Sequence, residues 1–341
     1  MHRRGLHLEV SDVPLKFRDL SDDGRPQDQQ QWTVPDRGGS ESGPELASRM
    51  LTYPEPTLTL QGTPYLEYLP VVDASNGRLL GMEALVRWRH PTRGRISPDL
   101  LIPAAEASGD IGPLTQWIVA AACVEACNWS PSIQVGVNCT VEQLQRGEMS
   151  VAVASALEES GLRSDQLNIE VTEGAVVDPT AAADLQALSD MGVQLSVDDV
   201  GTNWSSFEPF KRHAISTVKI DGSFVAGLES NQGINRLVVE TVIHMAHSLG
   251  MSAIVEQVEN ANQLRIAASF DADAAQGFYF TEPLPQADAR NFASGPEITV
   301  FSRTQGQTVL LADGTSVSVD SLLTVRGPDP LAKDAGETPG L

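Results

Sequence analysis

Tyr65-Leu66-Glu67-Tyr68-Leu69-Pro70-Val71-Val72, followed by Asp73-Ala74-Ser75-Asn76-Gly77-Arg78 and then by Leu79-Leu80-Gly81-Met82-Glu83-Ala84-Leu85-Val86-Arg87-Trp88, is the stretch on which the fold turns. Two β-type runs, Tyr65–Val72 and Leu79–Trp88, are separated by a link too short for the helix of a parallel crossover. A polar link containing glycine suits an antiparallel hairpin. Downstream the pattern changes. Short β-type runs at Ile133–Asn138, Leu167–Val171, Val193–Val197, Thr217–Ile220, Ala253–Val255 and Ala274–Gln276 alternate with helical patterns. Pro113–Asn128 is one such pattern, and Val141–Ser160 is a second that stops at Gly161. Asp178-Pro179 reads as an N-cap followed by proline at the first helical position, in a helix that stops at Gly192. Ile234–Leu249 closes at Gly250. About eight strands separated by helices predict an α/β fold of the (β/α)8 kind, with a doubly wound sheet as the competitor. The opening hairpin then demands a modified, TIM-like barrel with an antiparallel first strand.

The barrel pattern runs over residues 63–290. Residues 1–60, rich in turn formers such as Arg37-Gly38-Gly39-Ser40, read as a polar, poorly structured N-terminal extension. Residues 297–341 read as a short C-terminal extension, with a hairpin around Ala312-Asp313-Gly314-Thr315 and a Pro/Gly-rich tail.

With 341 residues, 41% of them hydrophobic and 20% charged, the chain reads as globular. No apolar run approaches the ~18 residues a membrane helix needs, and Trp117–Val124 is cut off by Glu125. The basic start, Met1 to His7, has no apolar segment behind it, so no secretory signal is expected and a cytoplasmic address follows by default. Three cysteines cannot form a disulfide framework; Cys123 and Cys127, four apart, read as buried helix residues. A net charge of −22 argues against a DNA- or RNA-binding surface. The terminal segments carry little of that charge; most of it falls on the barrel-like middle.

In such barrels chemistry sits where strands end. The β-type runs lead in turn to Glu83, Asn138, Glu170, the Asp198-Asp199 pair, Lys219 and Glu256, and the last to Gln276. If the barrel forms, five carboxylates and an amide converge on one mouth. Like charges and burial would raise their pKa values unless cations neutralise them. Oxygen donors without Cys or His select a hard ion such as Mg²⁺ or Mn²⁺. Five carboxylates and Lys219 leave a surplus of four negative charges, which two divalent ions would cancel. The bland reading is a set of helix caps and surface acids. His244 and His247, three apart on a helix with one facing the core, carry no metal-site reading, and the tryptophans read as packing residues.

Glu83-Ala84-Leu85-Val86-Arg87-Trp88 resembles the opening motif of the EAL-domain cyclic di-GMP phosphodiesterases. Six further blocks are similar to that family's pattern and follow its order. They are Val137-Asn138-Cys139-Thr140, Glu170-Val171-Thr172-Glu173, Asp198-Asp199-Val200-Gly201-Thr202, Lys219-Ile220-Asp221, Glu256-Gln257-Val258-Glu259 and Gln276-Gly277-Phe278. The resemblance implies a modified (β/α)8 barrel that hydrolyses cyclic di-GMP to linear pGpG with two Mg²⁺ or Mn²⁺ ions. It implies Glu83, Asn138, Glu170, Asp198, Asp199 and Glu256 as metal ligands, with Asp198 between the ions. Lys219 would sit beside the attacking water, and Glu256 would join it in catalysis. Arg87, Leu85 and Gln276 would contact substrate, and Glu173 would anchor the loop after Asp199. That loop is also the implied homodimer contact.

The chain departs from the family pattern at several positions. Leu69 stands where a glutamine is usual, Val200 where a phenylalanine is usual, and Asn203-Trp204 where a Gly-Tyr pair is usual. Gln257 replaces a glycine beside Glu256. These changes leave every implied ligand in place and bear on affinity and turnover. A receptor that binds the dinucleotide without cleaving it, or a signalling scaffold, is the alternative.

Overall fold

The structure is a computed structural model and describes residues 60–201, 208–229, 233–294, 308–310 and 316–318. Strand β1 (Thr63–Asp73) and strand β2 (Leu79–His90) pair antiparallel from Thr63 opposite Arg89 to Val72 opposite Leu79. Asp73 builds the turn between them. Its Oδ1 accepts the backbone N–H of Ser75 at 2.9 Å and that of Asn76 at 3.2 Å, and Gly77 takes a φ of 75°.

From β2 onward the neighbours are parallel. β4 (Gln134–Cys139), β5 (Leu167–Thr172), β6 (Gln194–Val200), β7 (Thr217–Ile220), β8 (Ser252–Val255) and β9 (Ala274–Gln276) follow in order. β9 then pairs antiparallel with the free edge of β1, Val71 opposite Gln276, and the ring closes. The closed barrel with one reversed strand is the architecture the hairpin demands. A three-residue strand, β3 (Gly94–Ile96), extends β2 outside the ring, and β10 (Leu284–Pro285) lies along β1.

Side chains alternate along each strand, which sorts the sequence into two faces. Val135, Val137, Leu167, Ile169, Val171, Leu195, Val197, Val218, Ile220, Ala253 and Val255 form one buried cluster with helix residues including Val119, Met149, Leu185, Leu188 and Val242. The residues between them, Asn138, Glu170, Asp198, Lys219 and Glu256, are left for the inside of the ring. Cys123 and Cys139 belong to the apolar cluster, and Cys127 packs against it.

Beyond shifts of one or two residues, as for the expected Pro113–Asn128 helix, which runs Ile111–Ala126, two helix boundaries differ from those expected. Val141–Ser160 is two helices, Val141–Gln145 and Glu148–Ser160, because Gly147 adopts a left-handed φ of 68° and turns the chain. Thr140 and Gln143 close a reciprocal capping box at the start of the first. Asp178 caps a turn and not a helix. Its Oδ1 accepts the Thr180 N–H at 2.8 Å, and the helix proper begins at Ala182. Residues 1–59 of the N-terminal extension lie outside the described residues, as do Ala312–Thr315, where a hairpin is expected. The strands flanking that segment, β11 (Thr308–Leu310) and β12 (Ser316–Ser318), pair antiparallel. Among the described residues no helix is long and apolar enough to cross a membrane.

The helix Gln286–Ser294 is fastened to the barrel by an ion pair whose acid is buried and whose base is partly exposed. Glu125, with a side chain 0% exposed, takes two hydrogen bonds from Arg290 at 3.1 and 2.6 Å, one from Gln286 at 2.7 Å and one from the Trp129 indole at 3.3 Å. Removing one partner of such a pair strands the other charge away from water. Arg290→Ala is expected to lower unfolding free energy by about 3 kcal/mol, read from urea melts. A change within ~0.5 kcal/mol would show that the pair does not fasten the helix.

Candidate active site

Lys219 stands in the middle of the polar inner face, 1% exposed on the short strand β7. Its Nζ lies 2.5 Å from Glu170 Oε2 and 2.7 Å from Glu256 Oε1. Glu83 Oε2 and Asp198 Oδ1 follow at 3.5 and 3.6 Å. Four strands thus aim carboxylates at one ammonium. Two amides hold Glu83 from either side: Asn138 donates to Oε1 at 2.5 Å and Gln276 to Oε2 at 2.7 Å. Beneath Glu170, Asn168 donates to Oε1 at 3.3 Å and to the Ser196 hydroxyl at 2.9 Å. Asp198, Asp199 and Glu256 form a second grouping, each offering one carboxylate oxygen within 4.8 Å of the others.

The electrostatics follow from crowding. Burial pushes Glu170 up to about 8, against the attraction of Lys219 and helped by Glu83 and Asp198. Burial and the neighbouring Asp198 lift Asp199 to about 6. Burial likewise raises Glu256, and Lys219 only partly offsets it. For Glu83 burial acts in the same direction, but Lys219 and the amides of Asn138 and Gln276 outweigh it and hold it below the usual carboxylate range. Lys219 would be lowered by burial alone; the surrounding carboxylates hold it well above its ordinary value.

One ammonium cannot balance five carboxylates. The donors are all oxygens, the chain's cysteines lie in or against the apolar core, and Gln276 Oε1 is buried without a hydrogen-bond partner. Such a set suits hard divalent cations.

The other expected residues fall around this centre. Arg87 lies further along β2, buried, its Nε on Glu67 at 2.7 Å. Leu85, between Glu83 and Arg87, is half-buried, and Leu69 sits opposite Glu83 across the hairpin. Glu173 stands outside the cluster, where its Oε1 accepts the Gly201 N–H at 3.3 Å. Val200 ends β6 fully buried, and Asn203 and Trp204 lie outside the described residues. Gln257 holds a φ of 50°, a left-handed conformation that glycine adopts without a Cβ penalty. Its side chain lies against Gly222, where a Cβ would overlap it.

Two residues escaped the sequence reading. Gly136 faces Glu83 in the β2–β4 register, and a Cβ there would overlap Glu170 Oε1. A glycine inside a strand and beside a buried carboxylate is itself a sign of close approach. Glu67 carried no motif; only its place opposite Leu85 reveals it.

The EAL domain family model matches residues 57–283. Among curated proteins, the cyclic di-GMP phosphodiesterase NbdA of Pseudomonas aeruginosa is 35% identical over 234 residues, covering 67% of this chain and 30% of that protein. The oxygen sensor protein DosP of Escherichia coli is 32% identical over 235 residues, covering 67% of this chain and 29% of that protein. Among solved structures, the PaMucR phosphodiesterase in complex with c-di-GMP superposes with a TM-score of 0.63 at 28% identity, covering 72% of this chain and 99% of that one. The EAL domain of Mycobacterium smegmatis DcpA gives 0.55 at 29% identity, covering 67% and 95%. The chain spans less than two fifths of the length of the curated relatives it matches.

Because Glu170 titrates near 8 and Asp199 near 6, the metal-free site carries protons at neutral pH that a divalent cation must displace. Affinity for Mn²⁺ should therefore climb as pH rises from 6 to 8, with proton uptake by the buffer. Calorimetry in two buffers of different ionisation enthalpy measures it, and heats that are the same in both buffers would contradict the crowding. Gly136→Ala should push the Glu170 carboxylate aside while leaving the barrel folded, and weaken Mn²⁺ binding on the order of 10–100-fold. Wild-type affinity in that variant would show that Glu170 has room to spare.

Proposed function

This chain belongs to the EAL domain family, and from that premise we propose that it is a metal-dependent phosphodiesterase that opens cyclic di-GMP to linear pGpG and lowers the level of this second messenger. The observation that carries the reading is the buried Lys219 within 3.6 Å of four carboxylates drawn from four different strands. A set of helix caps and surface acids would not converge in this way.

Glu83, Asn138, Glu170, Asp198, Asp199 and Glu256 would hold two Mg²⁺ or Mn²⁺ ions. When bound, the ions would supply Lewis acidity toward a phosphoryl oxygen and lower the pKa of a water so that hydroxide is available for attack. Lys219 keeps its proton under these neighbours, so it acts as a fixed positive charge beside the attacking water and stabilises the negative charge that develops on phosphorus oxygens. Asn138 and Gln276 keep Glu83 ionised and aimed. Arg87 offers a planar guanidinium to a substrate phosphate. Leu85 lines the same approach. Glu173, through Gly201, steadies the start of the loop after Asp199. Homodimerisation through that loop and a cytoplasmic site of action belong to the same proposal, with the activity assigned to residues 63–290.

A second reading is a receptor that holds the dinucleotide without cleaving it. Leu69 favours it, since an aliphatic side chain opposite Glu83 offers the ligand no hydrogen bond.

Chromatography of the nucleotides after incubation with Mg²⁺ or Mn²⁺ separates the two. The wild type should yield pGpG, Glu83→Ala none, and Lys219→Met about 10²–10³-fold less. Intact cyclic di-GMP under all conditions, with tight binding by calorimetry, would replace the enzyme by the receptor.

A further inference from the structure

The hairpin continues past the barrel mouth. Arg87 lies four residues beyond Glu83, roughly 13 Å along a strand. By alternation and register, Glu83, Leu85, Arg87 and Arg89 of β2, Tyr65, Glu67 and Leu69 of β1 and Arg95 of β3 share one face. The metal-ligating chemistry occupies one end of that face, and three arginines the other.

Glu67 organises the arginine end. One carboxylate oxygen, Oε2, accepts Arg87 Nε at 2.7 Å and Arg95 Nη2 at 2.8 Å. The Glu67 and Arg87 side chains are only 12% and 10% exposed, whereas Arg95 is 56% exposed. Arg89 is occupied differently, stacked 5.1 Å over the Tyr65 ring. Arg87 gives a further N–H to the Val86 carbonyl at 3.1 Å. Of the five N–H donors of a guanidinium, these contacts leave three, all on the Nη nitrogens. Glu67 thus fixes the inner edge of one guanidinium and tethers a second beside it, with the cluster net positive.

We infer that Glu67 is a positioning residue that sets Arg87 and Arg95 as a paired guanidinium clamp for an anionic group of the substrate lying beyond the carboxylate centre, a phosphodiester being the group whose geometry such a pair fits. This rests on the proposed phosphodiesterase reading and deepens it. The clamp lies on the same face as Leu69, so it offers charge-assisted contacts where that leucine offers none.

Steady-state kinetics on the full chain with cyclic di-GMP in Mn²⁺, beside calorimetry of cyclic di-GMP binding in Ca²⁺, test it. Glu67→Leu and Arg95→Gln should each raise KM and Kd about tenfold with kcat within about twofold. Glu67→Gln, which keeps an acceptor oxygen, should lose less. The double variant Glu67→Leu/Arg95→Gln should fall well short of the product of the single effects, because both act through one carboxylate. Variants that shift only the melting temperature and keep wild-type KM would reduce Glu67 to a stitch between strands and overturn the inference. Fully multiplicative losses would overturn the shared clamp. A wild type that neither binds nor cleaves cyclic di-GMP would sink the phosphodiesterase reading and this inference with it, an outcome distinct from an active wild type beside unaffected variants.

Discussion

Everything at the mouth of this barrel is arranged around a single buried ammonium. Lys219 is enclosed on β7 and reaches carboxylates from β2, β5, β6 and β8. An amine would lose its proton if it were buried alone, and a carboxylate would gain one; brought together, each limits the other's shift. The balance is incomplete by design. One positive charge faces five acids, so the site is left short of positive charge and the fold itself must hold the acids in place. That burden falls on groups that are neutral: the amides of Asn138, Gln276 and Asn168, and the missing side chain of Gly136.

The ring itself can afford a polar interior because the apolar work is done elsewhere. Strand residues facing the helices, such as Ile169, Val171, Val197 and Val218, supply the core, and helix pairs close over them. Alternation then delivers polar residues to the axis with no further instruction. The reversed first strand has its own effect. Because β1 runs antiparallel, it lies beside β2 over nearly its whole length and carries Tyr65 and Glu67 past the rim, so the mouth is extended on one side by a two-stranded wall.

The barrel was legible because the sequence carries it twice, in the short Asp73–Arg78 link and in the rhythm of apolar runs ending on acids. The carboxylate positions were legible for the same reason, since strand ends are fixed by period and length. Glu67 was not, because one glutamate in a strand has no local signature and its partner Arg95 is set by the register of a three-residue strand. Nor was the interruption at Gly147 or the true start of the helix after Asp178. In each case the chain satisfies a local turn bond before the helix begins, and periodicity alone does not register such competition. The cyclic dinucleotide reading came from the resemblance and not from the spacing of the acids, which bounds the metal chemistry but not the substrate.

The contact between Gln257 and Gly222 reaches beyond stability. Gln257 sits in a backbone conformation that favours glycine, and its side chain fills the volume above a residue that has none. The two positions are therefore epistatic. With glutamine at 257 the neighbouring site is closed to a Cβ by that side chain. Sterics couple how this rim can diverge: a side chain at 222 first has to displace the one at 257.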